Sequence, residues 1–456
     1  MAATTTRFQA TCSAPPNLAL CKYWGKRPGA EALILPTNDS LSVTLDQAHL
    51  RSTTTARTDA SFTGTDRLWL NGVEEEIASS GRLGRCISEL RTLRAKREAD
   101  DAALPKLSTW PLHIASENNF PTAAGLASSA SGFAALAFTL SVLYDLREPA
   151  LSASELSRIA RQGSGSACRS IFGGFVAWQA GTDPSGLDSL AVQVAPREHW
   201  PDLQALICVV DDAKKGTPST SGMQRTVLTS PLLQERIRSV VPARMAKIKE
   251  AIAARDFDVL ARITMDDSNN FHACCLDTSP PIFYMNDVSR AIVQLVEELN
   301  RAALAEAGGH HIAAYTYDAG PNAVLFAPKD NIPLVLQLIR HYFPNADFDD
   351  TVSVPDCFSS LLYALICLMI LSQFNLLGAG EKASHRGTQA SVELPSSLPP
   401  SFNANVIPVH DAGAVRRLIH TQVGDGPQVL GQGADDGESL LDAEGLPIRL
   451  QRAKRA

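Results

Sequence analysis

Residues 117–133, Glu-Asn-Asn-Phe-Pro-Thr-Ala-Ala-Gly-Leu-Ala-Ser-Ser-Ala-Ser-Gly-Phe, run from a proline-led turn through tiny side chains straight into an apolar helical pattern. Pro121 ends an extended segment, Gly125 permits a tight path, and Ala124, Ala127, Ser128 and Ser129 are too small to hold a polyphosphate away from the backbone N–H groups. Phe133, Leu136, Ala137, Leu140 and Tyr144 follow at three- and four-residue spacing, so the loop is expected at a helix N-terminus, where the dipole favours an anion. A small-residue turn before a helix also serves close helix packing. No lysine follows the glycines and their spacing is wrong for a dinucleotide loop, so neither common nucleotide fingerprint fits.

The rest of the chain restricts the classes open to it. At 456 residues it divides naturally into two domains. Its 45% hydrophobic and 20% charged residues are those of a soluble globular protein. A net charge of −7, with no basic stripe, argues against nucleic acid as a partner. Nine scattered cysteines, an odd number without a C-x-x-C pair, argue against both a disulfide framework and a zinc site. The N-terminus carries no apolar targeting segment, which makes a cytoplasmic setting the expectation.

Along the chain, Leu41, Val43 and Leu45 alternate with Ser42 and Thr44 as in a half-buried strand, and Asn71-Gly72 signals a hairpin. An Arg- and Glu-rich helix over 79–98 presents its charges as a solvated face. Ser152-Ala-Ser-Glu155 is a capping box opening a helix over 152–162. Leu206–Val210 reads as a strand, 232–272 as helical, 286–307 as an amphipathic helix, and 312–317 and 323–326 as strands. His272 reads as a hydrogen-bonded structural histidine.

Three further stretches hold candidate chemistry. Asn17 and Lys22-Tyr-Trp-Gly-Lys26 present two lysines around an aromatic pair, able to clamp a phosphate or to form a solvated strand end over a buried Trp. Gly163-Ser-Gly-Ser-Ala-Cys-Arg169 is a second small-residue turn with one arginine, suited to a carboxylate or phosphate, or merely a surface cation. Asp318 stands at a strand end before Ala-Gly-Pro, either capping its own turn or held ready as a base.

Together with Pro121–Ala130, these stretches resemble, in order, the motifs of the diphosphomevalonate decarboxylases, a family of the GHMP kinase superfamily. The likeness runs from residue 10 to about 350 and resumes near 392. It implies an α+β, two-domain GHMP-kinase fold, with an N-terminal ATP-binding domain over 1–200, a C-terminal domain over 201–456 and the active site in the cleft between them. It further implies ATP-dependent decarboxylation of (R)-5-diphosphomevalonate to isopentenyl diphosphate, with ATP as co-substrate, Mg²⁺ on its phosphates, and a homodimer. By position, Asp318 is the base, Arg169 holds the substrate carboxylate and Lys22 balances charge. Asn17, Tyr23, Ser164, Ser166, Ser219 and Thr220 face the substrate, while Ala124, Gly125, Ala127, Ser128 and Ser129 cradle ATP. Metal ligands are not readable. The alternatives are a small-molecule kinase of the same superfamily and an inactive variant.

The chain departs from the family over about 356–390. Cys357 to Gly380 contains no charged residue. A translated intron, a surface insertion and a membrane tether compete to explain it; the first is preferred, because matching sequence flanks both sides and a tether would want aromatic or basic flanks.

Overall fold

The computed structural model describes residues 7–120, 128–211, 216–345, 394–433 and 437–449. The atypical stretch at 356–390, and with it Ala124, Gly125 and Ala127, lies outside the described residues.

Three sheets organise the described residues. The first contains β1 (Phe8–Ala14), β4 (Ser52–Thr58), β5 (Arg67–Leu70), β6 (Val73–Glu75), β7 (Leu112–Asn118) and β14 (Gln428–Gln432), in the order β14-β1-β4-β7-β5-β6. Its pairs are antiparallel except β5 with β7. The second contains β2 (Asn17–Cys21), β3 (Ser40–Thr44), β8 (Phe175–Trp178) and β9 (Ala191–Ala195), in that order; the third, β10 (Leu203–Val209), β11 (Ala314–Tyr317), β12 (Ala323–Pro328) and β13 (Arg417–Gln422), runs β11-β12-β10-β13.

The helices are α1 (Arg82–Asp100), α2 (Ser128–Leu143), α3 (Ala153–Gly163), α4 (Ser219–Thr229), α5 (Pro231–Glu235), α6 (Val241–Ala254), α7 (Phe257–Leu276), α8 (Asp287–Leu304) and α9 (Ile332–Tyr342). One core forms where α1, α2 and α3 lay Ile87, Leu90, Leu136, Leu140 and Ile159 over the first sheet. A second, larger core joins Leu18, Leu20, Leu41 and Val43 of the second sheet to Leu206 and Ile207 of the third and to Ile248, Ile292 and Leu295 of the helices. The fold class is α+β, as the motifs imply.

Local rules account for many boundaries. Ser152 accepts from Glu155 N, and the Glu155 carboxylate accepts from Ser152 N, the reciprocal cap that starts α3. Asn71 and Gly72 turn β5 into β6 with φ of 49° and 83°, the left-handed pair such a two-residue turn requires.

Three expectations are corrected. The helical stretch over 232–272 is not continuous: α5 passes through a π-helical turn, Arg236–Val240, into α6, which ends at Arg255 in the left-handed region, and Asp256 then caps α7 by accepting from Val259 N. Strand β3 is buried on both faces rather than half-buried, because its polar face is covered by the 3₁₀ stretch Gly165–Ile171 and meets polar partners there. The charge run of α1 is not simply solvated: Arg94 and Glu98 form a buried pair at 2.8 Å, and Arg94 also donates to the Tyr144 and Pro105 carbonyls.

Candidate active site

Motifs scattered over three hundred residues converge on one cavity of about 250 Å³. Lys22 and Tyr23 leave the end of β2, Ser128 and Ser129 open α2, and Ser164, Ser166 and Arg169 come from the turn after α3. Across the cavity stand Ser219 and Thr220 at the start of α4, and Asp318 just beyond β11.

The electrostatics define what such a space can hold. Among the described residues its charged lining consists of Lys22, Lys26, Arg82 and Arg169 against a single carboxylate, Asp318. A small volume with that imbalance, walled by serine and threonine hydroxyls, suits a polyanion. Lys22 Nζ donates to Asp318 Oδ1 at 2.7 Å, the lysine almost fully buried and the carboxylate one-third exposed towards the cavity. Burial, and next the Arg82 charge, lowers the Lys26 ammonium below its ordinary range.

Arg169 is held rigidly. Its Nε donates to Ser42 Oγ at 2.9 Å and Asn17 Oδ1 at 3.1 Å, its Nη1 donates to Ser40 Oγ at 2.6 Å, and its guanidinium lies over the Trp178 ring. Every one of these acceptors is neutral, so the charge has no carboxylate in direct contact among the described residues, and burial lowers its pKa. Asn17 is therefore placed behind Arg169 rather than among the cavity lining; its Nδ2 donates to the Ser166 carbonyl and to Ser170 Oγ.

Small residues are required where the turn passes the aromatics. A Cβ on Gly165 would sit 2.9 Å from Tyr23 Cε1 and 3.0 Å from Trp178, the two rings that pack at 4.6 Å. Gly25, at φ +102°, lets the Lys22–Lys26 segment turn; a Cβ there would meet Thr37 Oγ1 at 2.4 Å. Trp24 is buried, donating to Thr226 Oγ1 and stacking edge-on with Phe271 and Tyr284. Tyr23 faces the cavity with its hydroxyl buried and without a hydrogen-bond partner among the described residues, and burial raises its pKa. His272 is buried: burial, then the Lys22 charge, pushes it down to about 3, and its Nε2 has no hydrogen-bond partner among the described residues.

Sequence reasoning missed Arg82, and offered Lys26 only as one of two lysines able to clamp a phosphate. Arg82 opens α1, where no acidic residue occupies the first turn and a cation opposes the helix dipole. That local mismatch was the available signal.

No group of three or more His, Cys, Asp or Glu able to hold a metal occurs among the described residues. A divalent cation in this cavity would have to be carried chiefly by phosphate oxygens, which is how Mg²⁺ is ordinarily held in phosphoryl-transfer sites.

A two-domain α+β fold with hydroxyl-lined, cationic walls and a lone carboxylate is that of an ATP-dependent enzyme of the GHMP kinase superfamily. Residues 14–191 match the diphosphomevalonate decarboxylase-like N-terminal domain, and residues 205–430 match the mevalonate 5-diphosphate decarboxylase C-terminal domain. The chain belongs to the diphosphomevalonate decarboxylase family. It is 59% identical to the diphosphomevalonate decarboxylase of Ganoderma lucidum over 96% of this chain and 99% of that protein. A solved mevalonate 5-diphosphate decarboxylase superposes with a TM-score of 0.75 at 44% identity, covering 96% of this chain and 99% of its own. The solved complex of MDDEF with MVAPP, AMPPCP and magnesium matches at TM-score 0.59 and 35% identity, over 74% of this chain and 94% of its own.

Proposed function

We propose that this member of the diphosphomevalonate decarboxylase family converts (R)-5-diphosphomevalonate and ATP into isopentenyl diphosphate, ADP, phosphate and carbon dioxide, with Asp318, Lys22 and Arg169 at the centre of the reaction. The observation that carries the assignment is the meeting of Lys22 Nζ and Asp318 Oδ1 at 2.7 Å in a cavity whose other charged lining residues among those described, Lys26, Arg82 and Arg169, are all cations.

A tertiary alcohol is a poor nucleophile. Asp318 orients it and takes its proton while the γ-phosphoryl of ATP passes to the oxygen. The C–O bond then breaks with loss of phosphate, and cationic character builds on that carbon. Electrons of the bond to the carboxylate fill it, forming the alkene as carbon dioxide leaves. Arg169, fixed by Ser40, Ser42 and Asn17, holds the substrate carboxylate in line, and Lys22 balances the charge of Asp318. Tyr23, Ser164, Ser166, Ser219 and Thr220 line the substrate end, with Asn17 acting through Arg169. Lys26 and Arg82 add positive charge for the phosphates. Ser128 and Ser129, in the first turn of α2, receive ATP together with Ala124, Gly125 and Ala127, which precede them in the sequence. Mg²⁺ bound to the nucleotide would neutralise phosphate charge.

The domains 1–200 and 201–456 contribute opposite walls of this cavity, and the reaction serves isoprenoid and sterol biosynthesis. A cytoplasmic setting agrees with the described cysteines, all free thiols. No helix among the described residues is long and apolar enough to cross a membrane. For the homodimer, the exposed Leu228, Leu232, Leu276 and Phe283 flank two segments tied together through Asp277, an apolar area suited to a second copy; sedimentation at twice the chain mass is expected.

The purified protein, given ATP, Mg²⁺ and 1-¹⁴C-labelled diphosphomevalonate, is expected to release ADP and labelled carbon dioxide in equal amounts. Asp318→Asn is expected to lower both by ~10²- to 10⁴-fold while substrate still binds. ADP without carbon dioxide from the unaltered protein would make it a kinase.

A further inference from the structure

Behind the Lys22–Asp318 pair lies a buried charged cluster that the proposed chemistry leaves unused. Asp267 on α7 is fully buried and receives four donors: the Lys22 backbone N at 2.7 Å, Arg236 Nη1 and Nη2 at 2.8 Å each, and Arg244 Nη1 at 3.0 Å. Arg236, also fully buried, sends Nη2 on to the Lys22 carbonyl at 3.0 Å and Nη1 to Asn270 Oδ1 at 2.7 Å. Asn38 Nδ2 donates to the same Lys22 carbonyl at 3.1 Å.

The two backbone polar groups of one residue are therefore gripped by one buried ion pair, while the side chain of that residue meets Asp318. Burial would raise the Asp267 carboxyl, but Arg236 first, and then the Lys22 N–H and Arg244, hold it below its ordinary range, so it stays ionised. Arg236 stands at the head of the π-helical turn between α5 and α6. Such wide turns recur at functional sites. Buried ion pairs are often no more stabilising than apolar packing of the same volume, so stability alone is a weak reason for this one.

We propose that the Asp267–Arg236 pair is a positioning device for the known reaction: it fixes the Lys22 peptide, and so the place at which the ammonium meets Asp318. Neither residue lines the cavity. This inference rests on the role given to Lys22 above. A displacement of about 1 Å at a reacting group can cost on the order of 10²-fold in rate.

The test is a double-mutant cycle on the full-length enzyme, following single-turnover carbon dioxide release. Asp267→Asn and Arg236→Lys are each expected to reduce the rate by ~10- to 100-fold, with KM for ATP within about twofold. Introduced together with Lys22→Met, neither is expected to reduce the residual rate further, because the group they position is gone. A merely structural pair would give the same loss in both backgrounds, and that result, or an undiminished rate in the single variants, overturns the proposal. Arg236→Lys keeps the charge and gives up only the fork, so it carries the test should Asp267→Asn not fold. Lys22→Met alone tests the underlying reading separately: near-normal turnover there removes Lys22 from the chemistry, whatever Asp267 and Arg236 do.

Discussion

Arg169 occupies an electrostatic position that only a ligand completes. Its guanidinium is buried, its Nε and Nη1 are engaged by neutral oxygens, and no carboxylate among the described residues contacts it. The substrate carboxylate supplies the missing charge in the proposed reaction. Arg169→Lys retains a cation but loses the planar fork and the bonds to Ser40 and Ser42. Hydrogen bonds to charged groups are worth roughly 1.5–3 kcal/mol, so kcat/KM for diphosphomevalonate is expected to fall about 10- to 100-fold, with KM for ATP little changed. Unaltered steady-state kinetics would move the carboxylate elsewhere. At this scale the sequence was most legible where chemistry and backbone demands coincide. The Gly163–Arg169 turn needs small residues beside Tyr23 and Trp178 as well as one arginine, and both requirements are visible as letters. Asn17 was harder to read, because its task is to hold another side chain, and nothing in Ala-Pro-Pro-Asn points at residue 169.

Helix α1 illustrates what periodicity conceals. Arg94 and Glu98 are four residues apart, the spacing of an ordinary solvated pair, yet both side chains are almost wholly buried. What decides this is α1's packing beneath the loop over 105–108, where Ser108 donates to Glu98 from both its backbone N and its hydroxyl. Those partners are distant enough in register to leave no mark on the helical pattern. Burial would raise the Glu98 carboxyl, but the bonds from Ser108 and Arg94 outweigh it and lower its pKa. A carboxyl depressed in the folded state stabilises above its unfolded pKa of about 4.3, and that contribution is lost as the pH falls through the folded value. Glu98→Gln leaves a buried guanidinium unpaired and is expected to cost about 3 kcal/mol or more at pH 7. Urea unfolding at pH 7 and pH 3.5 checks this: the gap between the two proteins should narrow at the lower pH. The same helix hid Arg82, whose placement in the first turn becomes intelligible only once the cavity in front of it is known.

For the whole molecule, the resemblance of separated motifs gave the cleft, whereas local patterns could not give the closing of the chain on itself. Strand β14 pairs with β1 across more than four hundred residues, and β13 completes the third sheet beside β10; register over such separations is set by packing, which no short window contains. This long-range burial also encloses histidines, with a consequence for acid stability. His272 stands on α7 with its ring against Tyr317 of β11, and His420 stands on β13, where its Nε2 meets Gln204 Oε1 at 2.7 Å. Burial, helped by the Lys22 charge, pushes His272 down to about 3; burial, helped by His49, pushes His420 down to about 4. His113, stacked on Phe62, is lowered too, chiefly by burial. Each stays neutral when folded but binds a proton when unfolded once the pH drops below about 6.5. The unfolded state then carries more protons, so stability falls with falling pH. Two such groups at about 1.36 kcal/mol per pH unit each give roughly 3 kcal/mol per unit, to which His113 adds in the upper part of the range. The depressed carboxylates contribute only below about 4.5, which leaves the window from 6.5 to 5 to the histidines. Unfolding midpoints measured at half-unit steps across that window should fall continuously, and His420→Gln should flatten the slope by about one proton. A profile that stays level until the pH passes below 5 would mean that these rings are charged, and solvated, within the folded protein.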